Sequence, residues 1–250
     1  MKALVTGASS GIGRDISIIL SRQGYDLILV ARRIEKLEEL KNILPTDIKT
    51  ICIDLSKEEA CFSLYEQVKN EDIDILINNA GFGIFGPFDE IDIQDELRMI
   101  DTNIKAVDIL TKLFLKDFKR KDSGYILNVA SSAAFLPGPL LSSYYASKAY
   151  VLRLTQAIYE ELRRDGSSVY IGSLCPGPVD TEFNQTANVK MSLKGLSSQY
   201  VANYAIRQMF KRKLTIIPGI TMKLAALFEK FFPEKLLLRI TYHIQKKKDG

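Results

Sequence analysis

Tryptophan is absent from the 250 residues, histidine occurs once, and cysteine is limited to Cys52, Cys61 and Cys175. An odd, scattered set of three thiols excludes a disulfide framework or a zinc spacing and reads as small buried side chains. The one histidine, His243, lies near the C-terminus and reads as a surface or packing residue, and no metal is called for. Charge of one sign is not in large excess, 34 basic against 30 acidic residues for a net +4. Nucleic-acid binders concentrate basic charge on one face, so no nucleic-acid partner is expected. No uninterrupted apolar run reaches the roughly 18 residues a membrane span needs. Linkers, low-complexity tracts and internal repeats are also missing. A first strand is expected from residue 2, running straight into Thr6-Gly7, and no targeting segment is expected before it. A cytoplasmic, soluble protein is the expectation.

What is present is an alternation. Short aliphatic or β-branched runs at 3–5, 26–30, 49–53, 73–77, 125–129, 169–174 and 214–217 read as strands buried on both faces. Amphipathic helical patterns lie between them, notably 35–44, 95–118 and 144–164. Strand alternating with helix implies an α/β, doubly wound, mostly parallel seven-stranded sheet with helices on both faces, in the Rossmann manner. With 46% hydrophobic residues the chain can cover such a sheet. One dinucleotide-binding catalytic domain is expected over 1–219. After Pro218-Gly219 the pattern changes to one or two helices, 220–232 and 234–244, broken at Pro233 and ending in Lys246-Lys247-Lys248. This C-terminal extension over 220–250 is expected to pack on or beside the domain.

Thr6-Gly7-Ala8-Ser9-Ser10-Gly11-Ile12-Gly13 follows the first strand and opens a helix. Gly7 suits a tight turn, Gly11 lets the backbone approach a pyrophosphate, and Gly13 lets the helix pack closely on the sheet. The helix N-terminus, with Ser9, Ser10 and Ile12, supplies amides and partial positive charge for phosphates. The second strand ends Ala31-Arg32-Arg33, where an acidic residue would suit a ribose hydroxyl. An arginine fork suits a 2′-phosphate instead, which favours NADP(H) over NAD(H), with Arg32 the better candidate and Arg33 second. Asp54, after the third strand, can accept from an adenine amino group or serve the start of a helix.

Tyr144 and Lys148 lie four residues apart on one helical face. An ammonium beside a phenol lowers its pKa from about 10 and makes it a usable acid–base. Tyr145 and Tyr150 are neighbours without a lysine one turn on. Ser131 follows the fifth strand, where its hydroxyl can meet a substrate carbonyl, with Ser132 beside it. Asn103 sits among apolar neighbours in the long central helix, where a buried amide needs a partner; a bound water is one answer.

Taken together these motifs resemble the short-chain dehydrogenase/reductase family. The likeness rests on Thr6-Gly7-x3-Gly11-Ile12-Gly13, Asp54, Asn78-Asn79-Ala80-Gly81, Asn103, Ser131, Tyr144-x3-Lys148 and Pro176-Gly177 with Thr181. The resemblance implies that Tyr144 is the general acid–base, that Lys148 lowers its pKa and holds the nicotinamide ribose, and that Ser131 orients the substrate carbonyl. It implies that Asn103 holds a water in a proton relay with Lys148. Asn79, Ala80 and Gly81 would border the adenosine side, and Pro176, Gly177, Val179 and Thr181 the nicotinamide end. The reaction implied is hydride transfer between NADP(H) and a ketone or secondary alcohol. Phe82, Phe85, Phe135, Leu136, Leu141 and Phe183 hint at an apolar substrate, and 182–199 falls where such enzymes carry a substrate lid. Alternatives are a 3-oxoacyl thioester or hydroxysteroid-type reductase, or a non-catalytic NADP-binding redox sensor. A homodimer or homotetramer is expected, and membrane contact only through the C-terminal helices.

Overall fold

Each strand of the central sheet divides its side chains between two cores. In β1 (Lys2–Thr6), Ala3 and Val5 face one core and Leu4 the other. The same period of two recurs in β2 (Asp26–Ala31), with Leu27 and Leu29 opposite Ile28 and Val30. It recurs again in β4 (Ile75–Asn78) and β5 (Tyr125–Val129), because a pleated strand sends alternate side chains to opposite faces. A sheet apolar on both faces must be covered on both, which is why the helices divide into two layers.

The computed structural model describes residues 1–182, 195–228 and 233–246. With β3 (Ile48–Cys52), β6 (Tyr170–Leu174) and β9 (Thr215–Ile216), the strands form a seven-stranded sheet ordered β3-β2-β1-β4-β5-β6-β9, every pair parallel. One layer contains α1 (Gly11–Arg22), α2 (Ile34–Lys41) and α7 (Ser198–Phe210). The other contains α3 (Glu58–Val68), α5 (Ala106–Arg120) and part of α6 (Ser142–Arg164). The order reverses between β1 and β4, and the crevice beyond their C-terminal ends is where such sheets bind ligands.

The sheet agrees with the sequence reading to within one or two residues at each strand end. Three features differ. The long central helix is interrupted: α4 (Ile93–Ile100) passes into α5 through a π-helical turn at Asp101–Lys105 that contains Asn103. A separate two-stranded pairing joins β7 (Val179–Asp180) to β8 (Leu196–Ser197), strands too short to carry a periodic signal. Of the three thiols expected to be buried, Cys61 and Cys175 are buried but Cys52 is exposed. Its strand is the edge of the sheet, and its Sγ donates to the Arg32 carbonyl. His243 is exposed and its Nδ1 lies 3.1 Å from the Arg239 carbonyl, as a surface residue.

After β9 the chain continues as α8 (Ile220–Phe228) and α9 (Glu234–Lys246). Phe232 and the tail lysines Lys247 and Lys248 lie outside the described residues, as do Phe183 and most of the expected lid.

Candidate active site

The glycine-rich turn between β1 and α1 is held open by contacts a larger residue would destroy. Gly7 has φ +64° and Gly11 φ +53°, the left-handed region that favours glycine. A Cβ on Gly13 would stand 2.4 Å from both the Gly7 carbonyl oxygen and Asn79 Nδ2. Gly7 and Gly11 thus take turn conformations open to glycine, and Gly13 leaves room for the Gly7 carbonyl and Asn79 beside α1. Ser10, the N-cap of α1, makes no side-chain cap bond, and the first turn has no acidic residue. The amides and positive end of α1 favour an anion there, and the Glu182 carboxylate is hydrogen-bonded to Ser10 at that end. Gly13→Ala should destabilise the fold by the ~1–3 kcal/mol typical of overpacking, lowering the thermal midpoint, and weaken binding of an anionic dinucleotide at this turn. Differential scanning fluorimetry with and without cofactor checks both.

Asn79 and Thr6 lock this turn to β4. Asn79 Nδ2 donates to the Thr6 and Gly7 carbonyls at 3.0 and 3.1 Å. The amides of Asn79 and Ala80 donate to Thr6 Oγ1 at 2.9 and 3.0 Å. Behind them, Asn78 and Asn128 join adjacent strands at 2.9 Å, and Thr111 and Thr155 anchor that pair to the flanking helices. Sequence reading missed Asn128, Thr111 and Thr155, since only the sheet order makes them neighbours.

The turn opens into a cavity of about 440 Å³ lined from the phosphate loop to the start of α6. Every candidate binding or catalytic residue lies on its wall except Gly13 and Asn103, which stand behind it. Arg32, Arg33 and Asp54 border one end, with Val30, Ile53 and Leu55 beside them; Ser131, Tyr144 and Lys148 border the other, with Pro176 and Gly177. Asp54 lines the cavity and accepts from the Ser56 amide at 3.1 Å, whereas the N-cap position of α3 is Lys57. Arg33 is the arginine tied to the phosphate turn: its guanidinium donates to Ser9 Oγ at 3.1 Å and pairs with Glu182 at 2.7 Å. Arg32 is exposed, and nothing in the sequence ranked Arg33 above it.

At the opposite end the side chains converge. Lys148 is buried; its Nζ donates to the Val129 carbonyl at 3.0 Å and sits 5.8 Å from the centre of the Tyr144 ring. A Cβ on Gly81 would meet Asn103 Oδ1 at 2.8 Å and Lys148 Nζ at 3.2 Å, so glycine there lets these two groups approach. Asn103 is wholly buried, and its amide finds protein partners. Nδ2 donates to the Phe82 carbonyl at 2.9 Å and to Ser147 Oγ at 3.0 Å, and Oδ1 accepts from the Phe82 amide at 3.1 Å. The π-turn places it there, a distortion common at functional sites.

Burial overrides the simplest electrostatic expectation. The Tyr144 phenol is pushed above its ordinary value by desolvation, a hydrogen bond with Ser131 pulling it partly back. Lys148 is itself lowered to about 8 by burial. The expected drop in the Tyr144 pKa is therefore not present in the protein alone, because a desolvated ammonium committed to the Val129 carbonyl is a weakened partner. Ser131 also accepts from the Ala133 amide at 3.1 Å, which fixes its rotamer at the end of β5.

Of the apolar candidates, Phe82 and Leu141 line the cavity; Phe85, Phe135 and Leu136 are not among its lining residues. Tyr145, set aside in the sequence, does line it and accepts a short hydrogen bond from Gln245 Nε2 of α9. One hundred residues separate the two in sequence, so no local pattern could have linked them.

The sequence model of the short chain dehydrogenase family matches residues 1–192. The chain belongs to that family. The family is one of oxidoreductases, and the sheet order seen here is its nucleotide-binding fold. It is 33% identical over 198 residues to 17-beta-hydroxysteroid dehydrogenase type 3 of Homo sapiens, covering 77% of this chain and 63% of that protein. It is 32% identical over 193 residues to very-long-chain 3-oxoacyl-CoA reductase of Homo sapiens, covering 72% of this chain and 60% of that one. The chain thus spans less than two thirds of the length of either relative. A short-chain dehydrogenase from Sphingobium yanoikuyae, solved in complex with NADPH, superposes with a TM-score of 0.83 at 28% identity over 92% of this chain and 93% of that one.

Proposed function

We propose that this short chain dehydrogenase transfers hydride between NADP(H) and a ketone or secondary alcohol, with Tyr144 as general acid–base. The observation that carries the reading is the convergence of Ser131, Tyr144 and Lys148 at the end of one cavity whose other end is the phosphate-type turn. The nicotinamide, when bound, supplies or accepts the hydride. Gly7 to Gly13 and the start of α1 would hold its pyrophosphate. Tyr144 holds the proton that the carbonyl oxygen takes up in reduction and receives it back in oxidation. Ser131, hydrogen-bonded to Tyr144, orients that oxygen. Lys148 holds the ribose side and supplies positive charge behind the phenol. Asn103 keeps Phe82 and Ser147 in register beside them.

The preference for NADP(H) rests on Ala31-Arg32-Arg33 at the end of β2 and on the position of Arg33 against Ser9. Charge-assisted hydrogen bonds contribute roughly 1.5–3 kcal/mol each, or about tenfold to a hundredfold in affinity. Arg33→Ala should weaken NADPH by that factor and leave NADH nearly unchanged, with Arg32→Ala acting in the same direction. Equal affinity of the wild type for the two cofactors, by fluorescence titration, refutes the 2′-phosphate assignment.

The substrate is apolar in this reading, since Phe82, Leu141 and the Tyr145 ring line the acceptor end. A hydroxysteroid-type or 3-oxoacyl substrate is the second reading, favoured by the two human relatives. A carbonyl panel of bulky ketones, ketosteroids and 3-oxoacyl thioesters, followed by NADPH absorbance, tests both. Absence of oxidation across the panel, with cofactor bound, would favour a redox sensor over an enzyme.

A further inference from the structure

The net charge of +4 is not spread over the chain. Residues 1–219 carry 27 basic and 27 acidic residues, and residues 220–250 carry seven and three. The whole excess therefore resides in the C-terminal extension. The same extension exposes its largest aliphatic side chains. In α8, Ile220, Leu224 and Leu227 recur at the four- and three-residue spacing of a single helical stripe; in α9, Leu236, Ile240 and Ile244 recur every four residues. All six are between 41% and 76% exposed. These are not the faces the domain uses. Met222 of α8 lies against Gly177, and Thr241 and Gln245 of α9 are buried, Gln245 on Tyr145. Each helix is thus packed along one side and apolar along another that nothing in the chain covers among the described residues.

Aliphatic stripes flanked by Lys223, Lys235, Arg239 and Lys246, with Glu234 the one described acid, ask for an occupant both apolar and anionic. A second copy placed through this face would oppose two patches of the same positive sign, since a twofold interface brings like surfaces together. A nucleic acid would leave the aliphatic stripes in water. A bilayer surface containing anionic lipid satisfies both: side chains enter the headgroup–acyl boundary while cations stay among the phosphates. No helix among the described residues is long and apolar enough to cross a membrane.

We propose that α8 and α9 dock the protein on the surface of a membrane containing anionic lipid, lying in the interface. The helices that dock also border the acceptor end of the cavity, through their opposite, packed sides: Gln245 of α9 meets Tyr145 and Met222 of α8 lies against Gly177. A bilayer-dissolved substrate then has a short path to Tyr144; that consequence rests on the proposed carbonyl chemistry, whereas docking does not.

The test is co-sedimentation of the full chain with phosphatidylcholine vesicles, with and without phosphatidylserine. Binding is expected with phosphatidylserine and should fall as salt is raised. Lys235→Gln and Arg239→Gln should each lower the partition about fivefold. Ile220→Glu with Ile240→Glu should lower it at least tenfold, with an unchanged thermal midpoint and unchanged NADPH binding. Absence of sedimentation with either vesicle, or sedimentation indifferent to the glutamate pair, overturns the proposal. So does light scattering that shows a dimer which the glutamate pair dissociates, since the face then belongs to a second copy.

Discussion

Tyr144→Phe should reduce carbonyl turnover by 10²–10⁴-fold, the range general acid–base groups supply, while NADPH affinity stays within twofold. The substitution removes one oxygen and keeps the ring that packs edge-on to Tyr145 with centroids 6.1 Å apart. Ser131 loses a partner but retains the Ala133 amide, so the lost hydrogen bond costs only ~1 kcal/mol of stability. The pH dependence sharpens the assignment. In the protein alone the phenol is raised by burial, so it is protonated at neutral pH and already in the form that donates to a carbonyl. Reduction should therefore proceed at neutral pH without an acid limb from this residue, and alcohol oxidation should rise with pH as the base form gains ground. Steady-state rates in both directions, with cofactor binding measured separately, check the result. Retained turnover in Tyr144→Phe would move the proton to another group, with Tyr145 the nearest phenol. Turnover lost together with cofactor binding would instead indicate a misplaced α6.

The fold was legible in the sequence because its signals are local. Seven short buried runs, a Gly-rich turn after the first and a Tyr-x3-Lys pair on one helix depend on residues near each other in the chain. The sheet order and the cavity's two ends follow once those runs are paired in parallel. What the sequence did not disclose is set by contacts between distant residues. The π-turn at Asn103 exists to bring its amide to Phe82 and Ser147, the latter 44 residues on. Arg33 meets Ser9 and Glu182 only because the end of β2 delivers it there, the second partner lying 149 residues away. Tyr145 looked idle beside Tyr144 until α9 brought Gln245 to its hydroxyl. The electrostatic misreading has a similar cause. Spacing tells that an ammonium and a phenol share a helical face, but not that both are desolvated there.

That desolvation gives Lys148 an energetic signature. Burial lowers its pKa from 10.5 to about 8, equivalent to ~3 kcal/mol held against the charged form. A folded-state lysine pKa below the unfolded value means that the unfolded chain binds more protons at this position between those two values. Stability contributed through Lys148 should therefore rise with pH from about 8 to 10.5, the window set by the folded and ordinary values. Lys148→Met keeps the length of the side chain and removes the charge. It gives up the hydrogen bond to the Val129 carbonyl, ~1 kcal/mol, and relieves the larger desolvation cost. The variant should then unfold at pH 7 no lower in temperature than the wild type, and should lose the alkaline rise. Turnover should nevertheless fall at least 100-fold, because the phenol of Tyr144 is left in a buried site with no cation behind it. In the wild type kcat/KM for reduction should decline above pH about 8 as the free protein loses that proton, and the decline should be absent from the residual rate of Lys148→Met. Thermal scans across pH together with pH–rate profiles separate the alternatives. A variant that loses stability and activity in step assigns Lys148 to the scaffold, whereas preserved stability with lost turnover assigns its buried charge to the reaction.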